Sequence, residues 1–114
     1  MEICFEYRGN VLVAHLQMLL DRSSAENFKY VLSEQMKPGE KIVLDFEKLV
    51  NIDNYGLDAL LAMAQEALKN QSVIKLARVS ADMKIVLDIT KVYRVFEFYS
   101  TIEEAVASCQ EDLK

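Results

Sequence analysis

Two hydrophobic periodicities take turns along this chain, and their alternation constrains its fold more than any single residue does. Apolar residues fall first at alternate positions, Ile3, Phe5 and Tyr7. Arg8-Gly9-Asn10 and the β-branched run Val11 to Leu16 follow, which predicts a β-hairpin. From Ser23 the spacing turns helical, with Ala25, Phe28, Val31, Leu32 and Met36 on one side, Ser23 and Glu26 as a capping box, and Lys37-Pro38-Gly39 as the stop. Lys41 to Phe46 is an almost continuous apolar run, the pattern of a central strand covered on both faces. A loop is expected over Glu47 to Asp53. A second helix then carries Leu57, Leu60, Leu61, Ala64 and Leu68 inward and closes at Asn70-Gln71-Ser72.

The same alternation continues to the end. Val73 to Val79 reads as a strand, and Ser80 caps a short helix with Met83, Val86 and Leu87 inward. Val95 to Tyr99 reads as a last short strand, and Thr101 to Glu104 as a capping box opening a helix that is lined by Ile102, Ala105, Val106 and Cys109. The order β-β-α-β-α-β-α-β-α predicts an α/β fold: a mixed sheet of about five strands, built from an N-terminal hairpin and right-handed βα crossovers and packed with about four helices. A chain of 114 residues with 52% hydrophobic content is sized for one core, so residues 1–114 are expected to form a single domain.

Charge and punctuation remove several function classes. Thirteen basic against 18 acidic residues leave a formal charge of −5, the wrong field for a phosphate backbone, so no nucleic-acid partner is expected. No apolar run approaches the ~20 residues that span a bilayer, and the N-terminus lacks the basic-then-apolar plan of a signal peptide, which predicts a cytoplasmic protein without membrane insertion. With 3 Gly and 1 Pro there is no glycine-rich phosphate loop and no dinucleotide fingerprint, and no cofactor is expected. Cys4 and Cys109 are too few and too far apart for a disulfide framework or a metal site, and are read as buried packing residues. His15 has no ligating or carboxylate company near it in sequence, so it reads as a hydrogen-bonded strand histidine. Met18, Met36, Met63 and Met83 read mainly as core filling.

The chemistry-bearing segment is Leu44-Asp45-Phe46 through Ile52-Asp53-Asn54-Tyr55-Gly56-Leu57, where a buried strand hands polar residues to a helix N-terminus. Such an end presents unpaired N–H groups and a partial charge of roughly +0.5, to which an anionic group is complementary. Asp53 and Asn54 are good caps there. Gly56 in the first turn costs about 1 kcal/mol against Ala, which implies that something approaches the backbone closely. Asp21, Ser23 and Ser24 open the first helix, with capping as their plainest role. Asp21 and Asp53 could be paired for acid–base work only with a pocket, a shifted pKa and a nucleophile, none of which the sequence offers, so no enzyme activity is expected.

These segments resemble the STAS domain of anti-sigma factor antagonists and sulfate-transporter tails. Leu44 to Phe46 and Ile52 to Leu57 are similar to the signature LDLS…IDSSGL, Leu20-Asp21-Arg22-Ser23-Ser24-Ala25 to its LD-x-x-x-A approach to the first helix, and Val86-Leu87 to Phe96 to its VLELTGLDRLF stretch. The resemblance implies a docking protein. Its partner would be an anti-sigma factor that is also a serine kinase of histidine-kinase fold, or another signalling protein, and a homodimer is compatible with it. The partner-binding residues would be Asp21, Ser23, Ser24, Asp53, Asn54, Tyr55, Gly56 and Leu57. In that family the kinase phosphorylates a serine just after the signature aspartate, and the added charge of about −1.5 to −2 ejects the partner. Here that position is Asn54, so a serine switch cannot operate. The hydroxyl of Tyr55 lies ~6 Å farther from the backbone and does not fit a serine kinase's in-line geometry. The alternatives are a STAS scaffold, or a module for a small anionic ligand such as a nucleotide or lipid head group, without phospho-switching.

Overall fold

A computed structural model describes residues 2–90 and 92–111, with the side chains of Met18, Tyr93 and Glu111 outside that description. Strands β1 (Ile3–Arg8) and β2 (Val11–Leu20) form the expected hairpin, turned at Gly9, whose φ of 63° suits a residue without a Cβ. β2 pairs in parallel with β3 (Lys41–Ile52), β3 with β4 (Val73–Ala77), and β4 with β5 (Phe98–Tyr99). The five strands lie in sequence order, so β3 is central as its apolar run requires. Helices α1 (Ala25–Glu34), α2 (Asn54–Lys69), α3 (Ala81–Ile89) and α4 (Ile102–Glu111) make the crossovers and the final layer.

Period-two alternation divides the strands between two cores. Leu12, Ala14 and Leu16 of β2, with Ile42, Leu44 and Phe46 of β3 and Ile74 and Leu76 of β4, face one side. They pack there with Phe28, Leu32 and Met36 of α1, Leu57, Leu60 and Met63 of α2, and Met83 and Leu87 of α3. Val11, Val13, Val43 and Ala77 face the other side, against Ile102, Ala105, Val106 and Cys109 of α4. A strand buried on both faces has no polar positions to mark its period, which is why Lys41 to Phe46 reads as continuous.

The differences from expectation are local. Glu47 to Ile52 is strand, not loop: β3 continues beside β2 through two bulges, after His15 and after Met18, so its buried positions Phe46, Leu49 and Ile52 recur every third residue. That spacing disguises it, because a bulge adds a residue and breaks the period of two. β4 ends at Ala77, and β5 shrinks to two residues after a 3-10 turn over Val92–Arg94. Leu68 is 81% exposed and Val86 lies at the surface, both off the inward stripes assigned to them. Cys109 is buried, but Cys4 is exposed on the outer strand.

Candidate functional site

The chain leaves β2 for α1 through a turn that two side chains hold. Ser24 Oγ accepts the Asp21 amide hydrogen at 3.0 Å and donates to the Leu19 carbonyl at 3.0 Å. Asp21 Oδ1 accepts from the Ser23 amide at 3.0 Å and from the Ser23 hydroxyl at 2.7 Å. These bonds from Ser23, then those from Ser24, hold the Asp21 carboxyl below its ordinary value of 3.8. The expected Ser23–Glu26 capping box does not form. Ser23 folds back on Asp21, Glu26 pairs with Lys29 at 2.9 Å, and Ser24 takes the N-cap position without capping through its side chain.

Asp53 ties this turn to α2. Its Oδ1 accepts the Gly56 amide hydrogen at 2.9 Å, as a helix cap, while its Oδ2 accepts the Arg22 amide hydrogen at 3.0 Å from 31 residues away. The Asp53 amide itself donates to the Leu20 carbonyl at 3.2 Å. Gly56 follows from the same approach: a Cβ there would stand 2.2 Å from the Leu20 carbonyl oxygen and 2.7 Å from Ile52 Cγ1. The close neighbour inferred from Gly56 is therefore the end of β2, inside the protein.

All eight candidate binding residues thus belong to two adjoining segments, but they divide by depth. Ser24, Gly56 and Leu57 are buried and build the surface from beneath. Asp21 and Asp53 are half-buried, and Ser23, Asn54 and Tyr55 are exposed, Tyr55 by 53%. Arg22 joins them unforeseen, its guanidinium 5.6 Å from the centre of the Tyr55 ring. Sequence reasoning passed over it because only the turn brings it to Tyr55. Asp21 and Asp53 accept hydrogen bonds from the chain's own N–H and O–H groups, an arrangement that caps and braces rather than readies a carboxylate for proton transfer.

A second polar assembly lies on the sheet face that carries α4. Asp45, only 3% exposed, receives Arg78 in a bidentate grip, Nε to Oδ1 at 2.9 Å and Nη2 to Oδ2 at 2.7 Å. The Glu47 amide donates to Asp45 Oδ1 at 3.1 Å, and Arg78 Nη1 reaches Glu47 at 3.0 Å. His15 places Nδ1 2.6 Å from Asp45 Oδ2 and Nε2 2.9 Å from Glu6 Oε1. It is the hydrogen-bonded strand histidine that was expected, but with carboxylate company on both sides, delivered by neighbouring strands rather than by sequence neighbours. Partial burial opposes charge on the ring, yet the bonds to Glu6 and Asp45 outweigh it and raise the His15 pKa above 6.5. Desolvation likewise pushes Asp45 up, and Arg78, His15 and the Glu47 amide overcome it and bring the carboxyl below 3.8.

The sequence profile of the STAS domain matches residues 3–105. The chain belongs to the STAS domain family. BtrV of Bordetella bronchiseptica, provisionally named an anti-sigma factor antagonist, is 26% identical over 109 residues, which cover 95% of this chain and 94% of BtrV. The fold is shared with a protein of Thermotoga maritima that carries the same provisional name, at a TM-score of 0.84 and 18% identity over 95% of this chain and 94% of the other. It is shared also with the anti-sigma factor antagonist SpoIIAA in its unphosphorylated form, at 0.69 and 20% over 96% and 98%. This is an antagonist-like STAS domain. Among the described residues, no helix of the domain is long and apolar enough to cross a membrane.

Proposed function

We propose that this STAS domain acts in a bacterial cytoplasm as an anti-sigma factor antagonist that has lost its serine switch. It docks through Asp21 to Ser24 and Asp53 to Leu57 on an anti-sigma factor that is also a serine kinase of histidine-kinase fold, and so regulates sigma-dependent transcription. The observation that carries the reading is the bond from the Arg22 amide to Asp53, which joins the two segments into one surface with Asn54 and Tyr55 exposed on it. Asn54 stands where the family signature has its phosphorylated serine. A neutral amide there keeps the surface free of the −1.5 to −2 charge that phosphate would add, so docking persists whatever the kinase's activity. A small anionic ligand fits the surface less well, because the Asp53 carboxylate already occupies the N-terminus of α2.

The test is capture from the native lysate by the wild-type protein beside Asn54→Ser and Asn54→Asp, with mass spectrometry of the captured proteins and of the bait. The wild type should retain a protein of histidine-kinase fold, Asn54→Asp should lose it, and Asn54→Ser, alone in carrying phosphate at position 54, should lose it to the extent that it is phosphorylated. Indifference of the captured proteins to Asn54→Asp would instead favour a STAS scaffold without phospho-control.

A further inference from the structure

β1 is an edge strand with one partner, β2, and among the described residues no element pairs with its outer row of N–H and C=O groups. Edge strands are ordinarily blunted by proline, by bulges or by charges that resist a second strand. β1 has no proline, and its register against β2 is unbroken from Ile3 to Arg8. Its two charged side chains are engaged within the chain: Glu6 with His15 at 2.9 Å, and Arg8 with Glu103 at 2.9 Å. The opposite face of the strand is apolar, with Ile3 and Phe5 half-buried against the core and Tyr7 61% exposed.

We propose that β1 pairs antiparallel with β1 of a second copy of this chain, extending the sheet across a twofold axis at Phe5. Residues opposite each other across an antiparallel junction point to the same face, so Ile3, Phe5 and Tyr7 must meet one another, and Glu2, Cys4, Glu6 and Arg8 must meet one another. Three such registers overlap substantially. Centring on Cys4 sets Glu6 against Glu2 twice, and centring on Glu6 sets that residue against itself, both like-charge pairs that oppose association. Centring on Phe5 sets Arg8 against Glu2 twice, Tyr7 against Ile3 twice, Glu6 against Cys4 and Phe5 against Phe5. Charge, aromatic pairing and overlap all select this register, and it is the longest of the three, running from Glu2 to Arg8. Seven residues a side is a small interface, so the dimer belongs to the weak, concentration-dependent class.

Sedimentation velocity over a concentration series tests this with the wild type, Glu2→Arg, Arg8→Glu and the double variant that carries both, each checked for folding by thermal melting. Dimerisation is expected in the wild type, weakened roughly tenfold in either single reversal, which creates like pairs, and recovered in the double reversal, which restores opposite ones. Glu2→Arg alone carries the test if Arg8→Glu does not fold. A wild type that stays monomeric throughout, or a dimer indifferent to both single reversals, would overturn the proposal.

Discussion

Gly56 is the residue on which the architecture of the proposed docking surface turns. In an exposed helix Gly→Ala gains about 1 kcal/mol, but here the added methyl would lie 2.2 Å from a backbone oxygen that belongs to β2 and cannot rotate away. Overpacking against backbone dominates. Gly56→Ala is expected to destabilise the domain by about 3 kcal/mol in denaturant unfolding, where a propensity effect alone would stabilise it. Asn54, two residues earlier, is exposed and meets no such constraint, so Asn54→Ser should leave the unfolding midpoint nearly unchanged while altering what can be done to position 54. The two substitutions separate a residue that shapes the surface from one proposed to face a partner.

At the scale of elements, the residue that follows β4 ties its end to Asp45 and Glu47 of β3 from an unusual backbone setting. Arg78 has a φ of 58°, a left-handed conformation that favours glycine, yet its guanidinium grips the buried Asp45 from there. Arg78→Ala removes the main partner of a buried carboxylate and keeps a Cβ at positive φ. A loss of about 3 kcal/mol is expected. Arg78→Gly removes the same partner but relieves the backbone, and should be about 1 kcal/mol less damaging. Equal losses in chemical unfolding would show that the backbone at residue 78 stores no strain.

Across the whole molecule, His15 and Asp45 link β1, β2, β3 and the segment after β4 into one network of charges with Glu6, Glu47 and Arg78, and this gives stability a defined pH window. The His15 pKa is raised in the fold, so its contribution is complete below 6.5 and is lost as pH rises through the folded value. The Asp45 pKa is depressed, so its contribution is present above 3.8 and is lost as pH falls through the folded value. Unfolding free energy measured against pH should therefore fall on both flanks. His15→Gln should flatten the alkaline flank and also shrink the acid one, because His15 is among the groups that depress Asp45; an unchanged alkaline flank would assign it to other groups.

By itself the sequence determined the order of elements, the central place of β3 and the two faces of the sheet, because alternating apolar residues and capping signals are local and burial follows from them. That Asp21, Ser23 and Ser24 adjoin Asp53 to Leu57 was expected from the family resemblance on which the proposed docking surface rests, and Gly56 announced a close contact without naming it. Tertiary structure decided what each side chain does. The bulged end of β3 lay hidden because two inserted residues erase its period. Ser23 abandoned its capping box for Asp21 once the turn had formed. Asp45 lies 30 residues from His15 and 33 from Arg78, and only the lateral stacking of strands, which no short window along the chain contains, brings these charges together.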